Sequence, residues 1–463
     1  MLEKFIISRI KAELPFVPNE EKEQLFDVLG RFLVSREPHK CFILKGYAGT
    51  GKTSVVSALV RAMEKLQQPC VLLAPTGRAA KVLAHYSGYP AFTIHKWIYR
   101  QDSGIKETFS IAENKAEHTL FIVDEASMIS ARRDNEQFGT GSLLDDLVQF
   151  VYSGTACSML LLGDDAQLPP VSNPESKALE PDFLSGYGLS VSTFSLTQVA
   201  RQALDSGILR NATALREQLA VNAYTPHIEE DKDIVRIAGT DIQELLERSY
   251  AEAGDEETII LTRTNRRTNL YNQGVRARIK WKEDAISNGD RLMISKNNYF
   301  WTQNYENLPF LANGDMAEIV RLRNERELYG FHFADASLRL IDYDWEVDVI
   351  LWLDTLTTDS PEQNYNLQKQ LYARIAEDYP EIRNKQDLFK LIRENEYYNA
   401  LQARFAYAVT CHKAQGGQWK RVFIDAGFPL KEDASDEDRR DWLRWLYTAL
   451  TRATEQIYLI NFP

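Results

Sequence analysis

One segment, Gly46-Tyr-Ala48-Gly49-Thr50-Gly51-Lys52-Thr53, narrows what this chain can fold into more than any other feature. It follows an apolar run at 41–44 and precedes a helix-compatible run at 54–64, so a buried strand has to turn sharply into a helix. Glycines at 46, 49 and 51 allow the amides of the loop, those of Ala48 and Thr50 included, to face one anion. The helix N-terminus behind them adds further free N–H donors. In that setting Lys52 reaches the β- and γ-phosphates of ATP, and the Thr53 hydroxyl is placed to ligate Mg2+.

Such a loop requires an α/β fold, and the rest of the chain supplies one. Apolar runs at 41–44, 70–74, 120–123 and 159–162 have the length of strands buried on both faces of a parallel sheet, and each ends in a polar loop. The pattern returns at 258–261, 406–409, 422–425 and 457–460, predicting a second α/β domain. Between 291 and 404 the texture changes. Alternating segments at 317–322, 327–333, 338–341 and 346–351 precede a polar helical stretch at about 362–401, which reads as a small β-barrel with helices inserted in the second domain. A shorter insertion at 97–118, with a turn at Gly104, interrupts the first domain.

A length of 463 residues fits two to four domains, and 44% hydrophobic with 26% charged residues is a globular composition. The N-terminal residues lack the features of a signal peptide, and no run approaches the ~18 apolar residues of a membrane span, so a cytoplasmic protein without membrane contact is expected. Cys41, Cys70, Cys157 and Cys411 are scattered, so neither disulfides nor zinc is expected. A net charge of −12 disfavours indiscriminate binding to phosphates. Acidic residues concentrate at 229–233, 354–362 and 431–441, however, which leaves room for a neutral or basic channel.

Two further strand ends carry chemistry. Leu120-Phe-Ile-Val-Asp124-Glu125 places adjacent carboxylates at a strand tip, where Asp124 can hold hydrated Mg2+ and Glu125 can take a proton from an attacking water. Leu162-Gly-Asp-Asp-Ala-Gln167 ends the fourth run. The Gln167 amide, both donor and acceptor, can hold that water and register the γ-phosphate.

Together these segments resemble the helicases of superfamily 1, and later ones point to its RecD/Dda/Pif1-like branch, superfamily 1B. Ala74-Pro-Thr76-Gly-Arg78, Thr93-Ile-His95, Leu196-Thr-Gln-Val-Ala-Arg201, Thr262-Arg-Thr264-Asn265, Asn313-Gly-Asp315, Thr410-Cys-His412-Lys413-Ala-Gln415-Gly416 and Tyr447-Thr-Ala-Leu-Thr-Arg452 stand in the order of that branch's motifs. The resemblance implies two RecA-like P-loop NTPase domains. These would comprise residues 1–195, including a pin-like insertion at 97–118, and residues 196–290 with 405–463; an SH3-like barrel with a helical extension would occupy 291–404. It also implies that Arg201 and Arg452 act as arginine fingers on the γ-phosphate, that Gln24 reads adenine, and that Gln418 contacts ribose. Thr76, Arg78, His95, Thr264, Asn265, Thr410, His412, Lys413 and Gln415 would then line a nucleic-acid track.

The expected activity is an ATP-dependent translocase and helicase on single-stranded and tailed duplex DNA, moving 5′ to 3′ and acting as a monomer. An ATP-gated nucleic-acid clamp without net movement, or a P-loop kinase or small-molecule ATPase with no polymer track, are the rival readings. Response of ATP turnover to single-stranded DNA, and then displacement from a 5′-tailed duplex, separates the three.

Overall fold

A computed structural model describes residues 1–101, 109–133, 138–170, 175–199, 205–223, 227–305, 308, 310–343, 345–427, 430–431 and 433–462. Two parallel sheets dominate it. The first has six strands in the order Ala91–Thr93, Cys70–Ala74, Leu120–Val123, Ser158–Gly163, Lys40–Gly46, Ser190–Leu196. All its neighbouring pairs are parallel. Residues of Lys40–Gly46 alternate between two cores, Cys41 and Ile43 facing one and Phe42 and Leu44 the other, which is why the strand reads as a continuous apolar run.

The second parallel sheet has five strands in the order Ala408–Thr410, Thr258–Thr262, Trp419–Asp425, Ala453–Ile460, Ile234–Ile237. Ile259 and Leu261 enter one core while Ile260 enters another, the same two-faced burial. Helix Asp436–Leu450 covers one face. Its N-terminus is fixed by a capping box between Ser435 and Asp438, and its second half is buried from Trp442 to Leu450. The result is the pair of covered parallel sheets expected of two RecA-like domains.

The inserted region is a five-stranded antiparallel sheet, Trp345–Trp352, Phe331–Leu340, Met316–Leu328, Arg291–Ile294, Ala403–Phe405. It departs from the expected strands in one place. The segment 327–333 is no strand of its own but straddles a hairpin, where Tyr329 and Gly330 both take positive φ (57° and 76°) as a two-residue turn requires. The polar helical stretch is likewise two helices, Pro361–Ala376 and Lys385–Glu394, with Pro380 between them. The expected strand at 406–409 is shifted to Ala408–Thr410, which joins the parallel sheet, while Ala403–Phe405 just before it closes the antiparallel one. In the first domain's short insertion, Tyr99–Gln101 pairs antiparallel with Phe109–Ile111. No helix among the described residues is long and apolar enough to cross a membrane, and the four cysteines are buried and free.

Candidate functional site

The phosphate loop runs from the end of strand Lys40–Gly46 to helix Lys52–Lys65. Gly49 and Gly51 hold φ of 77° and 87°, the left-handed region that lets the loop amides turn inward. Lys52 folds back so that its ammonium donates to the Gly46 carbonyl, and the Thr50 hydroxyl donates to the Tyr47 carbonyl at 2.8 Å. Beside the loop stand three carboxylates from the neighbouring strand ends. Asp124 accepts the Glu125 amide at 2.8 Å, and Asp164 accepts the Ala166 amide at 3.0 Å.

Burial raises the pKa of Asp124, Glu125 and Asp164 alike, with Lys52 opposing the rise in each. Three carboxylates around one ammonium leave negative charge to be balanced. That donor set suits a divalent cation held by Asp124 and Thr53 together with phosphate oxygens. Glu125 itself sits in the left-handed region, φ 50° and ψ 38°, an uncommon conformation for a residue with a side chain and one that marks functional turns. Gln167 is buried and its Oε1 has no partner among the described residues, leaving an acceptor open at the place expected for the attacking water.

The second domain completes this pocket. The Tyr447 hydroxyl accepts the Ala48 amide at 3.0 Å and donates to Asp164 Oδ2 at 2.6 Å, touching the phosphate loop and a carboxylate at once. The adjacent Thr448 hydroxyl accepts the Leu168 amide at 2.9 Å, and the Gln415 side chain donates to the Leu168 carbonyl at 2.6 Å. Arg452, just past the end of the same helix, is buried, donates to the carbonyls of Thr448 and Gly417, and opposes the rise of the Glu125 carboxyl through its charge. Arg201 lies outside the described residues.

Several expected contacts point elsewhere. Gln24 is on the exposed face of helix Glu20–Val34, whereas buried Lys22, two residues earlier, lies against Gly51. Side chains two apart on a helix diverge, so only one of the two can face the loop. Gln418, expected at ribose, accepts the Tyr86 hydroxyl at 3.1 Å, and its carbonyl accepts from Arg78 at 2.9 Å. Arg78, expected on nucleic acid, instead bridges the domains: it pairs with Asp342 at 3.3 Å and stacks over the Trp419 ring. Gln415 is likewise buried between domains rather than open to a track.

His95 lies among protein rings, 5.1 Å from Phe138, 5.7 Å from Tyr99 and 6.3 Å from Phe310 by centroids. Burial drives its pKa down to about 4, against a smaller opposing pull from Asp146, so the ring is neutral at pH 7. Both faces of a stacking platform are not free there. Tyr299 and Phe310, from the segment after Arg291–Ile294, complete this aromatic cluster with Phe109 and Phe138 of the first domain.

The remaining residues expected on a nucleic-acid track lie at strand ends. Thr76 caps helix Gly77–Ser87 and Thr264 caps helix Asn265–Arg278, each accepting a backbone amide of the first turn. Thr410 stands beside Thr262 in register, so the Thr264–Asn265 and Thr410–Lys413 turns share one edge of the second sheet. Thr264, His412 and Lys413 are exposed. Gly416 packs so closely on the first domain that a Cβ there would meet Ala79 Cβ at 2.7 Å and Thr76 Oγ1 at 3.3 Å.

Sequence reasoning missed Tyr447, Thr448, Asp164 and Lys22 as site residues. Tyr447 and Thr448 lie inside the motif that ends at Arg452, and a polar pair on an otherwise apolar helix turn was the available signal.

Residues 32–237 match the model of an AAA domain, and residues 405–460 match that of a UvrD-like helicase C-terminal domain. The chain is 22% identical to a protein of Acanthamoeba polyphaga mimivirus, over 92% of this chain and 96% of that one. It is 31% identical to the ATP-dependent RecD2 DNA helicase of Deinococcus radiodurans over 43% of this chain, spanning 25% of that protein's length. It is 26% identical to the ATP-dependent DNA helicase dda of Enterobacteria phage T4 over 36% of each. Among solved structures, the Pif1 helicase from Bacteroides in complex with ADP-AlF3 and ssDNA aligns over 96% of this chain and 93% of that one, with 15% identity and a TM-score of 0.47. With an AAA match before the inserted sheet, a UvrD-like match after it, and RecD2 and Dda among its relatives, the chain is similar to helicases of the RecD/Pif1-like branch of superfamily 1.

Proposed function

We propose that this protein is an ATP-driven motor that moves 5′ to 3′ along single-stranded DNA and separates duplex ahead of it. The observation that carries the reading is Tyr447, whose one hydroxyl joins the phosphate loop at Ala48 to Asp164 from across the domain boundary. A pocket whose walls belong to two bodies changes shape when its ligand changes, so the γ-phosphate state sets how the domains sit. Thr53 and Asp124 would hold Mg2+, which neutralises charge on the phosphates. Glu125 takes the proton of the attacking water, Gln167 orients that water, and Lys52 with Arg452 stabilises the charge that develops in transfer.

The polymer would lie along the strand-end edge formed by Thr264, Asn265, Thr410, His412 and Lys413, with Thr76 as the counterpart grip in the first domain. Helix and turn N-termini there offer free donors to phosphate oxygens without reading sequence. ATP turnover measured with and without single-stranded DNA tests this directly, followed by displacement from duplexes with 5′ or 3′ tails. Turnover indifferent to DNA would identify a P-loop ATPase without a track. Stimulated turnover with no strand displacement would identify a clamp, and displacement only from 3′ tails would reverse the polarity. Elution as a single copy at working concentration would accord with a monomeric motor.

A further inference from the structure

Helix Pro361–Ala376 is not a free appendage. Ser360 caps it, accepting the Gln363 amide at 3.2 Å, and Pro361 occupies its first turn. Its apolar residues Leu371 and Ile375 are buried with Phe333, Ile350 and Trp352 of the antiparallel sheet. The segment leading into it is held by Asn269, which donates to the Thr357 and Thr358 carbonyls and to Asp359 at 2.7–3.1 Å. The helix therefore has a fixed position against the antiparallel sheet, with the segment before its N-terminus tied to helix Asn265–Arg278.

Between the first half of this helix and the strand-end edge lies a cavity of about 360 Å3. It is lined by Thr410, Lys413 and Asn265 of the strand-end edge, by Ser295, Lys296 and Arg404 of the inserted region, and by Asn364, Tyr365 and Gln368 of the helix. Its lining holds three basic side chains and no acidic one, in a chain whose acidic residues outnumber basic ones 66 to 54. Three polar atoms of that lining, Ser295 Oγ, Asn364 Oδ1 and Arg404 Nε, are buried without a hydrogen-bond partner among the described residues. Tyr365, also in the lining, is 69% exposed, an unusual state for an aromatic side chain beside a cationic hollow. A volume of this size holds a single nucleotide unit.

From these features we infer that helix Pro361–Ala376 is the outer wall of the nucleic-acid track and that the cavity takes one nucleotide, its phosphate against Lys296, Arg404 and Lys413 and its base stacked on Tyr365. The inference rests on the reading of the chain as a single-strand motor. It assigns the helical extension a direct grip on the polymer, one that tolerates any base because every base presents a π-face. An acidic peptide would use the same cations but not the ring.

The test is fluorescence anisotropy on the full chain with a labelled single-stranded oligonucleotide, comparing the parent with Tyr365→Ala, Tyr365→Trp and Lys296→Gln. Tyr365→Ala is expected to weaken binding about 5-fold to 100-fold, with an unaltered thermal unfolding transition, while Tyr365→Trp restores it. Lys296→Gln is expected to lower the slope of log affinity against log salt by about one. Moving an abasic site along the oligonucleotide should reveal one position at which the parent binds as weakly as Tyr365→Ala binds the intact strand. Equal binding by parent and Tyr365→Ala, or loss of the same size for every abasic position, overturns the inference while leaving the motor reading intact. A parent that binds no single strand overturns both.

Discussion

The nucleotide cleft and the proposed polymer track are built by opposite means. In the cleft Asp164, Gln167, Tyr447, Thr448 and Arg452 are buried and Lys52, Asp124 and Glu125 half-buried, with polar ties across the domain boundary from Tyr447 to Ala48 and Asp164 and from Thr448 to Leu168. Along the track the groups are exposed turn residues, Thr264, His412 and Lys413, backed by helix caps. Buried, mutually satisfied polar groups have one good arrangement and a steep penalty for any other, whereas exposed donors exchange a phosphate for water at little net cost. A motor needs both: a fuel site that discriminates between states, and a grip that can let go.

The sharpest way to break this contrast is at Glu125. Glu125→Gln keeps the shape and removes the base, so single-turnover hydrolysis should fall about 10²-fold to 10⁴-fold while ATP binding holds. Normal turnover would remove Glu125 from its role. Next in size is Tyr447→Phe, which leaves the Ala48 amide and Asp164 without their shared hydroxyl. A loss of about 1–3 kcal/mol, seen as roughly a 10-fold to 100-fold drop in DNA-stimulated turnover, is expected. An effect confined to DNA affinity would place Tyr447 on the wrong side of the comparison.

A third measurement uses acid. His95 has a folded pKa near 4 against an ordinary value of 6.5, so the unfolded chain takes up its proton first. Stability from the neutral ring is complete above pH 6.5 and declines as pH falls toward 4, by about 2 kcal/mol between pH 7 and pH 5. Urea unfolding at the two pH values should show that loss, and His95→Phe should abolish it. Smallest is Thr264→Ala, which removes a helix cap worth about 1 kcal/mol and should weaken single-strand binding a few-fold, equally for all sequences. A change in sequence preference would count against a phosphate contact.

What could be read from residues alone follows from how local each feature is. The phosphate loop, the Asp124–Glu125 strand end and the alternation of strands were legible because each is encoded within a few consecutive residues. Arg78, Gln415 and Gln418 were not. Their motif setting suggested ligands, but their partners, Asp342, Leu168 and Tyr86, lie far off in sequence and across a boundary that only the fold creates. The segment 327–333 was misread because its strand-forming Leu328, Tyr329, Phe331 and Phe333 outweigh the single glycine that marks the turn at Tyr329-Gly330. The cavity beside Tyr365 was invisible for the same reason as the bridges, since its lining comes from segments more than a hundred residues apart.

The aromatic cluster has a mechanical consequence. Its contacts between Phe109 and Phe138 on one side and Tyr299 and Phe310 on the other are ring against ring. Rings can slip by a fraction of an ångström and remain in contact, whereas the polar ties at the cleft must break outright. The cluster therefore joins the first domain to the inserted sheet through contacts that tolerate small relative shifts.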